Sequence, residues 1–215
     1  VRLLKSKKAE VRIIMTPAAK DFVTPLTLSA LSGNPVLSSF TDSQDDNPVW
    51  NNHVELGKWA DLFIIAPATS LTISAMVNAK CNNLLIATYL SCTSKVYIAP
   101  AMDLDMYNHS SNQSNLEKLK SIGNEVLPVG EGFLASGLNG KGRMLEPEEI
   151  TKKIEQDILD KLPLNVIHIG EILRFFPNAK FVFALRHPYD SVLSCFMQQF
   201  ELNPAMITNM EQYMT

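Results

Sequence analysis

Four short apolar runs, at residues 11–15, 62–66, 96–99 and 125–127, alternate with stretches of helical spacing, and this rhythm leaves few folds open. Strands that carry apolar residues on both faces, such as Phe63-Ile-Ile-Ala-Pro67, must be covered on both sides, which a parallel sheet wrapped by helices provides. The helical stretches fall at 21–31, 71–79, 83–90 and 113–122, the last closed by Gly123 as a C-cap. In such a sheet, ligands sit beyond the carboxyl ends of the strands.

Two longer loops interrupt the rhythm, at 37–52 and 129–144. The first is polar. The second holds five glycines in 15 residues, Gly130-Glu-Gly-Phe-Leu-Ala-Ser-Gly-Leu-Asn-Gly-Lys-Gly-Arg-Met144, which predicts a mobile flap, a phosphate-facing loop or a flexible hairpin. A charged helix then runs from Glu146 to about Asp160, with Pro147 and acidic residues in its first turn. Residues 1–4 have the character of a helix end.

The three strand ends carry the chemistry. Met15-Thr-Pro-Ala-Ala19, Ala66-Pro-Ala-Thr-Ser-Leu-Thr72 and Ala99-Pro-Ala-Met-Asp-Leu-Asp-Met-Tyr107 each put proline and small or hydroxylated residues where a strand gives way to a helix. Free N–H groups there suit a flat or phosphorylated ligand; the alternative is three ordinary strand-to-helix turns. A net charge of −3 with scattered Lys and Arg excludes a nucleic-acid or membrane surface as the main partner. Cys81, Cys92 and Cys195 have no spacing that signals a disulfide framework or a metal site, which fits a reducing cytoplasm. Nor does any apolar run approach the roughly 18 residues of a membrane span.

Taken in order, His53-Val-Glu-Leu-Gly-Lys-Trp-Ala-Asp-Leu62, IIAPAT, IAPAMDLDMY and LASGLNGKGRMLEPEEI closely resemble the phosphopantothenoylcysteine decarboxylase flavoproteins over residues 1–158, the amino-terminal half of the bifunctional coenzyme A biosynthesis flavoprotein. The resemblance implies a cytoplasmic FMN enzyme, built from trimers, that decarboxylates 4′-phosphopantothenoylcysteine to 4′-phosphopantetheine. It implies an α/β fold with a three-layer flavodoxin- or Rossmann-like parallel sheet. That sheet is expected to lack its first strand and the glycine loop for the flavin phosphate, so that activity is impaired, with a neighbouring subunit as partial compensation.

By motif position, His53 matches the family's active-site histidine, the alternative being a surface histidine at a helix start, and Thr16, Pro17, Ala18, Thr69, Ser70, Leu71, Thr72 and Ala101 match family positions that line the flavin. Asp103 stands where the family has an asparagine that holds the substrate carboxylate, and Ala135, Ser136 and Gly137 stand where the flap carries Ala-Cys-Gly. An ionised Asp103 repels a carboxylate unless it is protonated or meets another part of the ligand. A serine hydroxyl is a far weaker acid than a thiol, so Ser136 puts the final proton donation in question. The intact motifs around both residues favour a lineage variant over decay.

Asp160-Lys-Leu-Pro-Leu-Asn-Val-Ile-His-Ile-Gly170, then Phe176-Pro-Asn-Ala-Lys-Phe-Val-Phe-Ala-Leu-Arg-His-Pro-Tyr-Asp-Ser-Val-Leu-Ser-Cys195, within residues 160–200, resemble a different family, the sulfotransferases that use phosphoadenosine phosphosulfate (PAPS). There Arg186 and Ser194 would grip the PAPS 3′-phosphate; the alternative is a surface arginine in a βα turn. The expected organisation is thus a flavoprotein domain at 1–158 and an αβα sulfotransferase-like fragment at 159–215, the latter without the 5′-phosphosulfate loop. Two rivals to the decarboxylase are a non-catalytic flavoprotein-fold binding or regulatory subunit and a PAPS-dependent sulfotransferase.

Overall fold

The computed structural model describes residues 1–42 and 49–161. In chain order these form α1 (Arg2–Ser6), β1 (Ile13–Ile14), a 3-10 turn (Pro17–Asp21), α2 (Pro25–Ser32), β2 (Val36–Leu37), β3 (Thr41–Asp42), β4 (Val49–Trp50) and α3 (His53–Trp59). There follow β5 (Leu62–Ala68), α4 (Ser70–Val77), α5 (Leu84–Ser91), β6 (Lys95–Pro100), α6 (Leu104–Asn108) and α7 (Ser110–Ser121). Last come β7 (Glu125–Val126), β8 (Gly130–Phe133), β9 (Asn139–Arg143) and α8 (Pro147–Lys161). The sulfotransferase-like segment, Arg186 and Ser194 included, lies outside the described residues.

The parallel strands fall into two ladders. β1 pairs with β2, and β5, β6 and β7 pair in that order, with Ile64 opposite Tyr97 and Ile98 opposite Val126. Pro67 has no N–H to give the ladder, and the β5 register shifts between Ile65 and Ala68. All four expected strands are present, the first and the last with only two residues each in their ladders. β2 was not expected: two residues after Pro35 are too few to show a period.

Alternation along the central strands sorts their side chains onto two faces. Phe63, Ile65, Val96, Ile98 and Val126 pack with α4, α5 and α7, whereas Leu62, Ile64, Tyr97, Ala99 and Leu127 pack with Ile150 and Ile154 of α8. Helices therefore cover both faces, and three layers result. Burying Ile150 and Ile154, each under a tenth exposed, contributes about 1.5–3 kcal/mol apiece.

A charged cluster fixes where α8 sits. Asp157 accepts hydrogen bonds from Lys95 (2.8 Å), Tyr97 (3.1 Å) and Lys153 (2.8 Å), and Lys95 also pairs with Glu125 at 3.2 Å. Burial works against a charged carboxylate here, but the bonds from Lys153, Lys95 and Tyr97 outweigh it and hold Asp157 well below the usual carboxylate range. The Tyr97 phenol shifts the other way, raised chiefly by burial.

Local chemistry sets most helix starts. Asn52 caps α3 by accepting from Val54 and Glu55 N–H, Thr24 caps α2, and Asn83 caps α5. The helix expected at 21–31 begins later, at Pro25, because proline favours the first helical position and its predecessor is held extended; the residues before it form the separate 3-10 turn. The 37–52 segment, expected as a loop, contains the antiparallel pair β3–β4.

Candidate active site

The carboxyl ends of β5 and β6 meet through a backbone bond, Ala101 N–H to the Ala68 carbonyl at 3.0 Å, which brings two of the three sequence-predicted turns side by side. At the first, the Thr69 hydroxyl caps α4 by accepting from Thr72 N–H, and it also lies 3.2 Å from the Thr72 hydroxyl. The first N–H groups of that helix, those of Ser70 and Leu71, have no intrahelical acceptor. Leu71 is 80% exposed beside them, so the turn offers a polar edge next to an apolar surface.

At the second turn, Asp103 is the N-cap of α6, its carboxylate accepting from Leu104 N–H at 2.7 Å. Asn and Asp serve equally well as N-caps, so the departure from asparagine leaves the local fold of this loop intact. One carboxylate oxygen is thereby engaged with the chain's own backbone.

The third turn, Thr16, Pro17 and Ala18, follows β1 as the start of the 3-10 helix; Thr16 is its N-cap but makes no side-chain cap bond, and Pro17 and Ala18 are exposed. Among the described residues, no hydrogen bond joins it to the other two turns.

The glycine-rich segment is an antiparallel hairpin, β8–β9, whose turn carries Ala135, Ser136 and Gly137, all exposed. Leu134 N–H donates to the Leu138 carbonyl, Gly137 N–H to the Leu134 carbonyl, and Gly137 has φ +84°. Among the described residues, Ser136 Oγ accepts one long bond, from Leu138 N–H at 3.4 Å. Two glycines answer a packing demand that the sequence did not show. A side chain at Gly142 would put its Cβ 2.2 Å from the Met102 carbonyl oxygen, and one at Gly140 would lie 3.0 Å from Leu104. Met102 N–H also donates to the Gly142 carbonyl at 3.0 Å. The hairpin is therefore seated on the Asp103 loop.

His53 opens α3 in a separate aromatic cluster. Its ring meets Phe40 edge-on at 6.0 Å and Trp50 at 6.4 Å, while Phe40 and Trp50 stack at 5.7 Å. His53 Nδ1 is buried and has no hydrogen-bond partner among the described residues. No hydrogen bond among the described residues links His53 to Asp103 or Ser136. Phe40 and Trp50 were missed because they lie in a stretch with no period to mark them. Asn112 was missed too: a polar residue in the first turn of α7, it accepts from Ser70 Oγ and donates to the Met106 carbonyl, both at 2.7 Å.

Residues 1–159 match the Flavoprotein family. The chain belongs to that family. Among curated relatives, a cysteine/cysteine sulfinic acid decarboxylase from an unknown prokaryotic organism is 54% identical over 132 residues, covering 61% of this chain and 36% of the relative. The bifunctional coenzyme A biosynthesis protein CoaBC of Haemophilus influenzae is 43% identical over 170 residues, covering 79% of this chain and 42% of that protein. The chain thus spans less than half the length of these curated relatives. Among solved structures, a cysteine-to-serine mutant of PPC decarboxylase complexed with pantothenoylaminoethenethiol has 29% identity and a TM-score of 0.61, with 72% of this chain and 86% of that one covered.

The residues of this flavoprotein fit a flavin on their own chemistry. The α4 turn combines N–H donors and hydroxyls with an exposed leucine, as a flat ring with polar edges requires, and His53 Nδ1 is a buried polar atom with no partner among the described residues. No helix among the described residues is long and apolar enough to cross a membrane.

Proposed function

We propose that this flavoprotein uses FMN to decarboxylate 4′-phosphopantothenoylcysteine to 4′-phosphopantetheine in coenzyme A biosynthesis, as a homo-oligomer. The observation that carries the reading is the junction at the strand ends: Ala101 bonded to Ala68, and the Ser136 hairpin seated through Gly142 on the Asp103 loop. Family membership and the CoaBC relative support the same reaction.

FMN, when bound, supplies a two-electron acceptor that later returns the pair, so the net change is loss of carbon dioxide. The chain's residues do the rest. Thr16, Pro17, Ala18, Thr69, Ser70, Leu71, Thr72 and Ala101 hold and orient the flavin, the α4 turn through its N–H groups. His53 takes a proton from the substrate, its ring plane held by Phe40 and Trp50. Asp103 shapes the α6 turn and, through its second oxygen, accepts a hydrogen bond from the substrate away from its carboxylate. Ser136, with Ala135 and Gly137, closes over the substrate from the hairpin and passes a proton to the unsaturated thiol.

A hydroxyl is a poor acid, so the last step is the slow one. The PPC decarboxylase mutant with serine for cysteine is complexed with an aminoethenethiol, the unsaturated thiol that such an arrest would leave. The test is product analysis by mass spectrometry after incubating the chain with FMN and substrate. Carbon dioxide release with accumulating enethiol, relieved in Ser136→Cys, is expected. Equal rates of saturated phosphopantetheine from both proteins would remove Ser136 as the limiting donor. Turnover of free cysteine in place of the phosphorylated substrate would assign the chain the reaction named for its 54%-identical relative.

A further inference from the structure

We infer that Asn112 is a positioning residue, which fixes the hydrogen-bonding polarity of Ser70 and ties the flavin-facing turn to the Asp103 helix. Asn112 is only 7% exposed, and a buried amide is costly unless each polar group finds a partner. Its backbone N–H donates to the His109 carbonyl at 2.9 Å. The side chain reaches two other elements: Nδ2 donates to the Met106 carbonyl in α6, and Oδ1 meets Ser70 Oγ at the start of α4, 42 residues away in sequence.

The orientation of this amide follows from its partners. A carbonyl only accepts, so the nitrogen must face Met106, the oxygen must face Ser70, and the Ser70 hydroxyl must spend its proton on Asn112. Ser70 then presents only lone pairs to anything bound at the turn. It is an acceptor there, suited to an imide N–H or a ribityl hydroxyl of a flavin and unsuited to a phosphate oxygen. The inference rests on the reading of this turn as part of the flavin site. Because the same side chain holds Met106, it also sets the spacing between the α4 turn and the helix that Asp103 caps.

The test uses Asn112→Ala, Asn112→Asp, Ser70→Ala and the double variant Asn112→Ala/Ser70→Ala, with two readouts: amide hydrogen exchange resolved by segment, and FMN affinity from quenching of flavin fluorescence. Asn112→Ala is expected to speed exchange at 69–73 and 104–108 and to weaken FMN about tenfold, the scale of one lost buried hydrogen bond. Asn112→Asp keeps an acceptor for Ser70 but turns an oxygen on the Met106 carbonyl. It should leave 69–73 protected while exposing 104–108, a split that global destabilisation does not produce. Ser70→Ala and Asn112→Ala should be non-additive in FMN affinity. Unchanged exchange in both segments, a uniform rise across the domain, or additive affinities would overturn the inference. Should the unaltered chain bind no FMN, the flavin reading fails, and the exchange split still decides the role of Asn112.

Discussion

Gly142→Ala tests whether the hairpin is held on the Asp103 loop as the structure shows. The added Cβ falls 2.2 Å from the Met102 carbonyl oxygen, against about 3.3 Å for a close carbon–oxygen contact, so the two backbones must part by roughly 1 Å. That displacement stretches the Met102 N–H to Gly142 bond from 3.0 Å to about 4 Å, beyond hydrogen-bond range. One lost bond costs about 1 kcal/mol. Gly142 also has φ +150°, where a side chain adds about 1–3 kcal/mol of strain. Together these give about 2–4 kcal/mol, which for a domain of this size lowers the melting temperature by roughly 5–15 °C. Gly137→Ala is the control: its φ is +84° but nothing lies within 4 Å of the added carbon, so strain alone applies. Thermal melts and limited proteolysis at the 134–137 turn provide the assay. A Gly142→Ala protein that melts within a degree of the parent and resists cleavage equally would refute the seating of the hairpin.

Two further outcomes follow from the site and the core. His53→Asn should abolish carbon dioxide release while FMN remains bound, because the histidine is assigned proton transfer and not cofactor retention; undiminished release from that variant would take His53 out of the mechanism. Asp157→Asn should destabilise the fold by about 1.5–3 kcal/mol near neutral pH, the scale of hydrogen bonds to a charged group. The depressed carboxyl contributes stability that is present above its unfolded value, near 4, and lost as pH falls through the lower folded value, so the gap between the two proteins should close in acid. Parallel denaturation curves from pH 7 to pH 3, with a constant gap, would contradict that linkage.

The sequence by itself determined what neighbours along the chain decide. Apolar runs and their separations foretold the four parallel strands, and Pro147, Glu148 and Glu149 marked the start of α8. The three turns were legible because each is a local event, a strand end followed by a helix start, whereas the Ala101–Ala68 bond that brings two of them together was not. Glycine density in the 129–144 segment showed that the chain there is unusual, but not why. A glycine placed for φ and one placed for a close approach look alike in sequence, and only the packed structure distinguishes Gly137, in open space, from Gly142, against Met102. Tertiary structure likewise decided the pairing of Asp157 with Lys95 and of Asn112 with Ser70, 62 and 42 residues apart. Caps and periods depend on residues within a turn of one another, whereas these contacts exist only after the sheet has brought distant elements together and burial has forced each polar group to find a partner.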